Sequence, residues 1–414
     1  MPFFVHVLGL AVFAQGTSEF MLSGLVPGLA RDLSVSPSTA AGLTSAYAIG
    51  MIVGAPLMAV LGARGRPRPA LAGFLTAFVV VHVVGALTTD VAVLYTTRVA
   101  AAMANAGFLA VALPYAAALA GPARQARATA VLLSGVTLAC VIGVPAGAAL
   151  GEHLGWRWVF GAVAALCLPA LALLLRPARA TVTDREGDPV PGAGGVPATP
   201  PRAASSGDGS RPAHHVLRNE LRTLRSRPLR ATLVSAALVN GATFASFAFL
   251  ALVATDVTRL PSGTVPALLA TFGLGAFAGV TLAGRTTLRV PLALGALVAA
   301  WTLFALVAAH PVALFVLAAV QGALSFALGT TLVNGVLRLA AEAPSLSGAF
   351  ATVSLNIGAF AGPLLAAAVT ANAGDPRGAL WTSVVLSALA AALTGRAYVT
   401  GTRARWEGAS GRRE

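Results

Sequence analysis

The 414-residue chain is 57% hydrophobic and only 10% charged, and its mean hydropathy is +0.81. A soluble domain carries about 25% charged residues, so this chain has too little polar surface to be wetted, and a soluble enzyme is excluded. Its formal net charge of +14 rests on 28 basic side chains, all of them Arg.

The first apolar run, residues 4–26, is long enough to span a bilayer, which takes roughly 20 residues. It lacks a basic leader and a small-residue cleavage site, so it is expected to stay as the first span. It also carries Glu19. At 1.5 Å per residue Glu19 lies roughly 24 Å from the start of the helix. A carboxylate at that depth costs about 2.5–3.5 kcal/mol, so it must be neutral, paired or facing a polar cavity.

Further helices are predicted over 40–62, 70–88, 92–120, 128–150 and 157–175. The run 92–120 carries Arg98, roughly 10 Å deep from the opposite side. Glu19 and Arg98 therefore fall at similar depth in a core about 30 Å thick. Residues 176–230 break the pattern. Pro189 to Pro201 reads as a flexible linker with nothing to pack. Leu217, Leu221 and Leu224 then fall at helical spacing among arginines, which predicts an amphipathic helix on the membrane surface. Six more helices follow at 231–254, 264–284, 290–309, 312–335, 347–370 and 378–399.

The sequence therefore predicts an all-α membrane protein of twelve transmembrane helices. Residues 1–175 form one six-helix bundle and 231–400 the other, with 176–230 as linker and 401–414 as a basic tail. Gly50 to Gly62 closes the second span before arginines, and Gly273 to Arg285 closes the eighth in the same manner, so the two bundles echo each other.

Arginine placement sets the orientation. Thirteen arginines fall in the connections and tail that share the N-terminal side: Arg64, Arg66, Arg68, Arg124, Arg127, Arg285, Arg289, Arg338, Arg396, Arg403, Arg405, Arg412 and Arg413. Four, Arg31, Arg157, Arg259 and Arg377, fall on the other side. Both termini and the linker are therefore predicted to be cytoplasmic. The net charge reads as topology and contact with anionic lipid rather than with nucleic acid. Cys140 and Cys167 lack metal-ligand spacing. No cofactor or metal is expected, and the chain is expected to act as a monomer.

Several stretches carry a resemblance. Gln15 to Pro27, around Glu19, resembles the first-helix signature of the drug:proton antiporter branch of the major facilitator superfamily. Arg98 in Leu94 to Val99 resembles its fourth-helix arginine motif. Gly135 to Gly147, followed by Gly155 to Phe160, resembles its fifth-helix antiporter motif. Asn356 to Leu365 resembles the eleventh helix of arabinose-exporter-like members. Val12 to Leu22, Gly54 to Ala59 and Asn105 to Leu113 are most similar to actinomycete chloramphenicol-resistance exporters. The resemblance implies two pseudo-symmetric six-helix bundles in a bacterial inner membrane. It also implies efflux of small amphipathic drugs, phenicols first, in exchange for protons. An exporter of sugars, nucleosides or another metabolite on the same fold is the alternative. A membrane enzyme lacks a clustered His, Asp and Glu set, and a sensor lacks an output domain.

On this reading Glu19 and Arg98 couple the proton, as opposed to a static acid fixing its helix. Gln15, Asn105, Asn240 and Asn356 are intramembrane amides that bind substrate hydroxyls or join helices. Phe20, Tyr47, Phe108 and Phe244 are candidates for an apolar wall. Gly135, Gly143, Pro145 and Gly147 permit a kink and close helix contact. His82 reads as packing or a helix hydrogen bond, with a relay as the alternative. The loop holding Arg64, Arg66 and Arg68 lacks the acid that the family carries there, so these arginines bind lipid phosphate or cap helix C-termini.

Overall fold

The computed structural model describes residues 3–61, 67–121, 124–176, 220, 222–285, 288–341 and 346–410. Within them twelve helices are long and apolar enough to cross a membrane. In chain order they are Phe3–Phe20, Pro37–Met58, Pro67–Leu87, Val91–Ala120, Arg127–Leu154, Trp156–Leu175, Arg227–Val257, Ser262–Arg285, Val290–Val307, Pro311–Leu339, Ser347–Ala373 and Arg377–Gly395. The first to twelfth spans below follow this order.

Two boundaries differ from expectation. The first run is interrupted at Met21 and resumes as Leu22–Asp32. The Ser23 hydroxyl there donates to the Phe20 carbonyl at 3.0 Å. Pro27 lies inside the second piece and removes a backbone donor. At the other end, the last helix continues to Ser410 instead of giving way to a tail at 401. Of the predicted surface helix only Glu220 and the residues from 222 on are described. They form a 3-10 turn, Thr223–Arg225, immediately before the seventh span.

The packing repeats with a shift of six spans. First pairs with fifth, second with fourth, third with sixth and first with sixth; then seventh with eleventh, eighth with tenth, ninth with twelfth and seventh with twelfth. Each half has its own apolar core, one centred on Leu8, Phe78, Phe108 and Phe160, the other on Leu268, Trp301 and Phe304. The halves meet mainly on two seams, second against eleventh and fifth against eighth. The six-span shift exchanges these two seams, as a pseudo-twofold axis between the halves requires.

The seams run from mid-bundle to the face opposite the chain termini, here the far face. Ser45 Oγ donates to the Phe360 carbonyl at 2.8 Å, and Ser38 Oγ to the Ala367 carbonyl at 3.4 Å. At the far end Ser262 Oγ donates to Glu152 Oε1 at 2.7 Å. Toward the terminal face the second and eleventh spans part around a cavity of about 590 Å³. Ile52 and Pro56 form one side, and Leu233, Ala237, Phe350 and Ile357 are on the other.

Candidate functional site

The described buried charge of the spanning helices is gathered in the first half. Arg98 is 1% exposed on the fourth span. Its Nη1 donates to Ser18 Oγ at 2.8 Å and its Nη2 to the Ser18 carbonyl at 2.7 Å. Ser18 is among the last four residues before the interruption at Met21, where helix carbonyls need partners from outside the ladder. The guanidinium carbon stands 4.5 Å from the Tyr47 ring centroid and 5.9 Å from that of Phe160. This replaces lost water with π faces. Asn105 Nδ2 donates to the Tyr47 hydroxyl at 2.9 Å, which holds that ring in place.

Glu19 follows Ser18 and is half-buried. Among the described residues no cation lies within 4 Å of its carboxylate, yet the field of Arg98 reaches it. The predicted acid and base are thus neighbours without being an ion pair. Ser18, which holds Arg98 and precedes Glu19 in the chain, was not singled out in the sequence. Its other partner is His82, which the sequence offered as packing or a helix hydrogen bond, with a relay as the alternative: His82 Nε2 lies 2.7 Å from Ser18 Oγ.

The remaining candidates divide. Phe20 packs on Phe244 across the two halves, centroids 5.7 Å apart, and an aromatic run continues through Phe247 to Phe272. Gln15 is 1% exposed, and neither amide atom has a partner among the described residues. Phe108 is fully buried in the first-half core. Asn240 Nδ2 donates to the Leu355 carbonyl at 2.7 Å, joining the seventh and eleventh spans. Asn356 Nδ2 donates to Thr352 one turn back on its own helix at 2.9 Å. None of these residues, nor Tyr47 or Asn105, is in the wall of the 590 Å³ cavity.

The fifth span holds a π-turn, Ala139–Gly143, closed by Val144 N–H to the Ala139 carbonyl. Pro145 follows directly and has no N–H for the carbonyl four residues back, so the ladder shifts register there. Gly135 faces the Gly9 carbonyl and the Phe13 amide, Gly143 faces Thr17, and Gly147 faces Val159 and Met21. These small residues let the fifth span lie against the first. From the other side Gly273 of the eighth span faces the Cys140 backbone.

Arg68 lies in the first turn of the third span rather than in a loop. Its Nη2 donates to the Leu173 and Arg176 carbonyls at 3.1 and 3.2 Å, capping the sixth span. Arg64 and Arg66 lie outside the described residues. On the far face Asp32 accepts from Trp156 Nε1 at 2.8 Å and pairs with Arg157, which also donates to the Thr88 carbonyl at 3.2 Å. The Arg157 and Trp156 hydrogen bonds hold the Asp32 carboxyl below its usual range.

Two halves that close along paired seams on one side and part on the other are built to expose an interior to one face at a time. That is the architecture of a membrane transporter. The chain belongs to the Major Facilitator Superfamily, whose family model matches residues 8–353. It is 49% identical over 395 residues to a chloramphenicol resistance protein of Streptomyces lividans, covering 94% of this chain and 95% of that one. It is 30% identical over 388 residues to an inner membrane transport protein of Escherichia coli K12, covering 92% and 88%. A chloramphenicol efflux pump of Mycobacterium tuberculosis is 29% identical over 378 residues, covering 87% and 84%. In fold it is similar to a bacterial homologue of the human lysosomal transporter Spinster in an inward-facing, unoccupied conformation. The TM-score is 0.71 and the identity 18%, over 95% of this chain and 96% of that one.

Proposed function

We propose that this chain exports neutral, compact amphipathic drugs, chloramphenicol and other phenicols first, in exchange for protons. The observation that carries the reading is Glu19. It is a half-buried intramembrane carboxylate with no ion-pair partner among the described residues, beside a cation held on Ser18. An acid so placed can gain and lose a proton as its access changes, without breaking a structural ion pair. The relatives named for chloramphenicol resistance and efflux support the cargo. The aromatic contact of Phe20 with Phe244 suits an aryl group, and the amides Gln15 and Asn105 suit hydroxyls.

In this reading residues 1–175 and 231–400 are the two moving halves, and the chain works as a monomer in a bacterial inner membrane. Both termini are cytoplasmic, so the cavity between the second and eleventh spans faces the cytoplasm. The fifth-span glycines with Pro145 act as hinge and seal, and Arg64 and Arg66 meet lipid phosphate.

Expression in a drug-sensitive host should raise chloramphenicol tolerance and lower its cellular accumulation, and collapsing the proton gradient should reverse both. Unchanged accumulation with verified membrane expression would remove phenicols and promote a sugar or other metabolite as cargo.

A further inference from the structure

We infer that His82 is a positioning residue for proton coupling: it holds the Ser18 hydroxyl so that Arg98 stays parked away from Glu19. The inference rests on the export reading above.

The hydrogen positions follow from chemistry. His82 Nδ1 lies 2.7 Å from the Phe78 carbonyl, which only accepts, so Nδ1 carries the proton. Nε2, 2.7 Å from Ser18 Oγ, is then the acceptor of a neutral ring. Arg98 only donates, and its Nη1 uses a lone pair of that same Oγ at 2.8 Å. The Ser18 proton must point to Nε2. Donation therefore runs one way, from Arg98 to Ser18 to His82 to the Phe78 carbonyl, while Arg98 Nε is left without a partner among the described residues.

The surroundings hold the ring in this role. His82 is 1% exposed, with Phe78 and Phe160 at centroid distances of 4.1 and 5.7 Å. Arg98 is the charged group that faces it. A protonated ring would turn a second N–H on Ser18 Oγ and set two cations on one hydroxyl. Around Glu19 the titratable groups within reach of its field are Arg98 of the fourth span, Tyr47 of the second and Cys140 of the fifth.

Without the Nε2 acceptor the Ser18 hydroxyl is free to turn to the Ala14 carbonyl one turn back, as intrahelical serines do. Once the side chain has turned, Arg98 Nη1 loses its Oγ acceptor and only the Nη2 bond to the Ser18 carbonyl remains, which leaves the guanidinium freer to swing toward Glu19. An opposite charge within about 4–6 Å favours a carboxylate by about 1–3 pH units. Loss of His82 thus makes the carrier harder to load with a proton, even where the fold is intact.

The test uses the full chain in proteoliposomes, with chloramphenicol as probe and a lumenal pH dye as readout. His82→Phe and Ser18→Ala should each move the pH midpoint of chloramphenicol-driven proton exchange down by about one unit. The double variant should move it no further, and His82→Gln, whose amide oxygen can replace Nε2, should restore it. A lower rate at every pH with an unmoved midpoint, or shifts that add in the double variant, would overturn the inference. A second arm needs no transport: ¹⁵N NMR of the histidine rings, with His82 assigned by the His82→Gln variant. The His82 ring should stay neutral and Nδ1-protonated from pH 5 to 8, and its Nε2 resonance should move in Ser18→Ala. A ring that titrates in that window, or ignores Ser18, overturns the arrangement. If wild-type liposomes show no drug-driven proton flux, the export reading fails, while the NMR arm still decides the Arg98–Ser18–His82 chain.

Discussion

Gly273→Ala tests whether the seam between fifth and eighth spans is what shuts the far side. A methyl at Gly273 would sit 2.8 Å from the Cys140 carbonyl carbon and 3.0 Å from Val141 Cα, where unstrained contact begins at 3.4 Å. Both obstacles are helix backbone and cannot rotate away. Overpacking of this kind costs about 1–3 kcal/mol. A state in which the two spans part is spared that cost, and the gain in helix propensity from Gly to Ala is the same in both states. The balance should therefore move toward the parted state by roughly 5–150-fold. Cys140 is 6% exposed beside this contact and serves as the reporter, in a Cys167→Ala background. A membrane-impermeant maleimide on the far-face side should label Cys140 faster in Gly273→Ala than in the parent, and net export should fall. Equal labelling rates in two well-folded proteins would refute the claim that this seam is the closure.

Glu19→Gln should insert and bind chloramphenicol but lose gradient-driven export, read as drug accumulation in energised vesicles; wild-type uptake would sink its role as proton carrier. Tyr47→Phe keeps the face that holds Arg98 and should retain most transport. Tyr47→Leu loses a desolvated cation–π contact of about 2 kcal/mol and should retain little; equal rates would show that the ring does not hold the cation. On the far face Asp32 is held below its unfolded range, so its stabilising share is complete at neutral pH and lost only as pH falls below about 4. Both partners are more than a third exposed, so Arg157→Ala should cost only about 0.2–1 kcal/mol by thermal unfolding in detergent, and that cost should shrink as pH falls through the lowered Asp32 range.

The twelve spans were legible because length and apolarity alone announce a helix that must satisfy its backbone in lipid. Glu19 and Arg98 were legible for the opposite reason, since each is costly where it stands. What joins them was not. Ser18 is one hydroxyl in a run of small residues. His82 and Arg98 lie 64 and 80 residues away from it on other helices. The one available signal was His82 itself, an ionisable ring deep in a span. The interruption at Met21 was hidden because Gly24 and Pro27 sit inside an unbroken apolar run. The amides gave the weakest guidance. Asn240 and Asn356 spend their donors on backbone carbonyls, and no pattern separates such an amide from Gln15, which spends neither.

The uneven placement of charge has a consequence for how such a protein diversifies. Glu19, Arg98, Ser18 and His82 all belong to the first half, and the described buried polar groups of spans seven to twelve are uncharged hydroxyls and amides. On the proton-exchange reading the energy source is wired into one half, while the other offers mostly apolar and small side chains. Substitutions at Leu233, Ala237, Phe350 or Ile357 would reshape the second-half wall of the cavity without touching Glu19, Arg98, Ser18 or His82. On that reading cargo preference can drift through the second-half wall under selection by new toxins, while the residues around Glu19 and Arg98 stay unchanged.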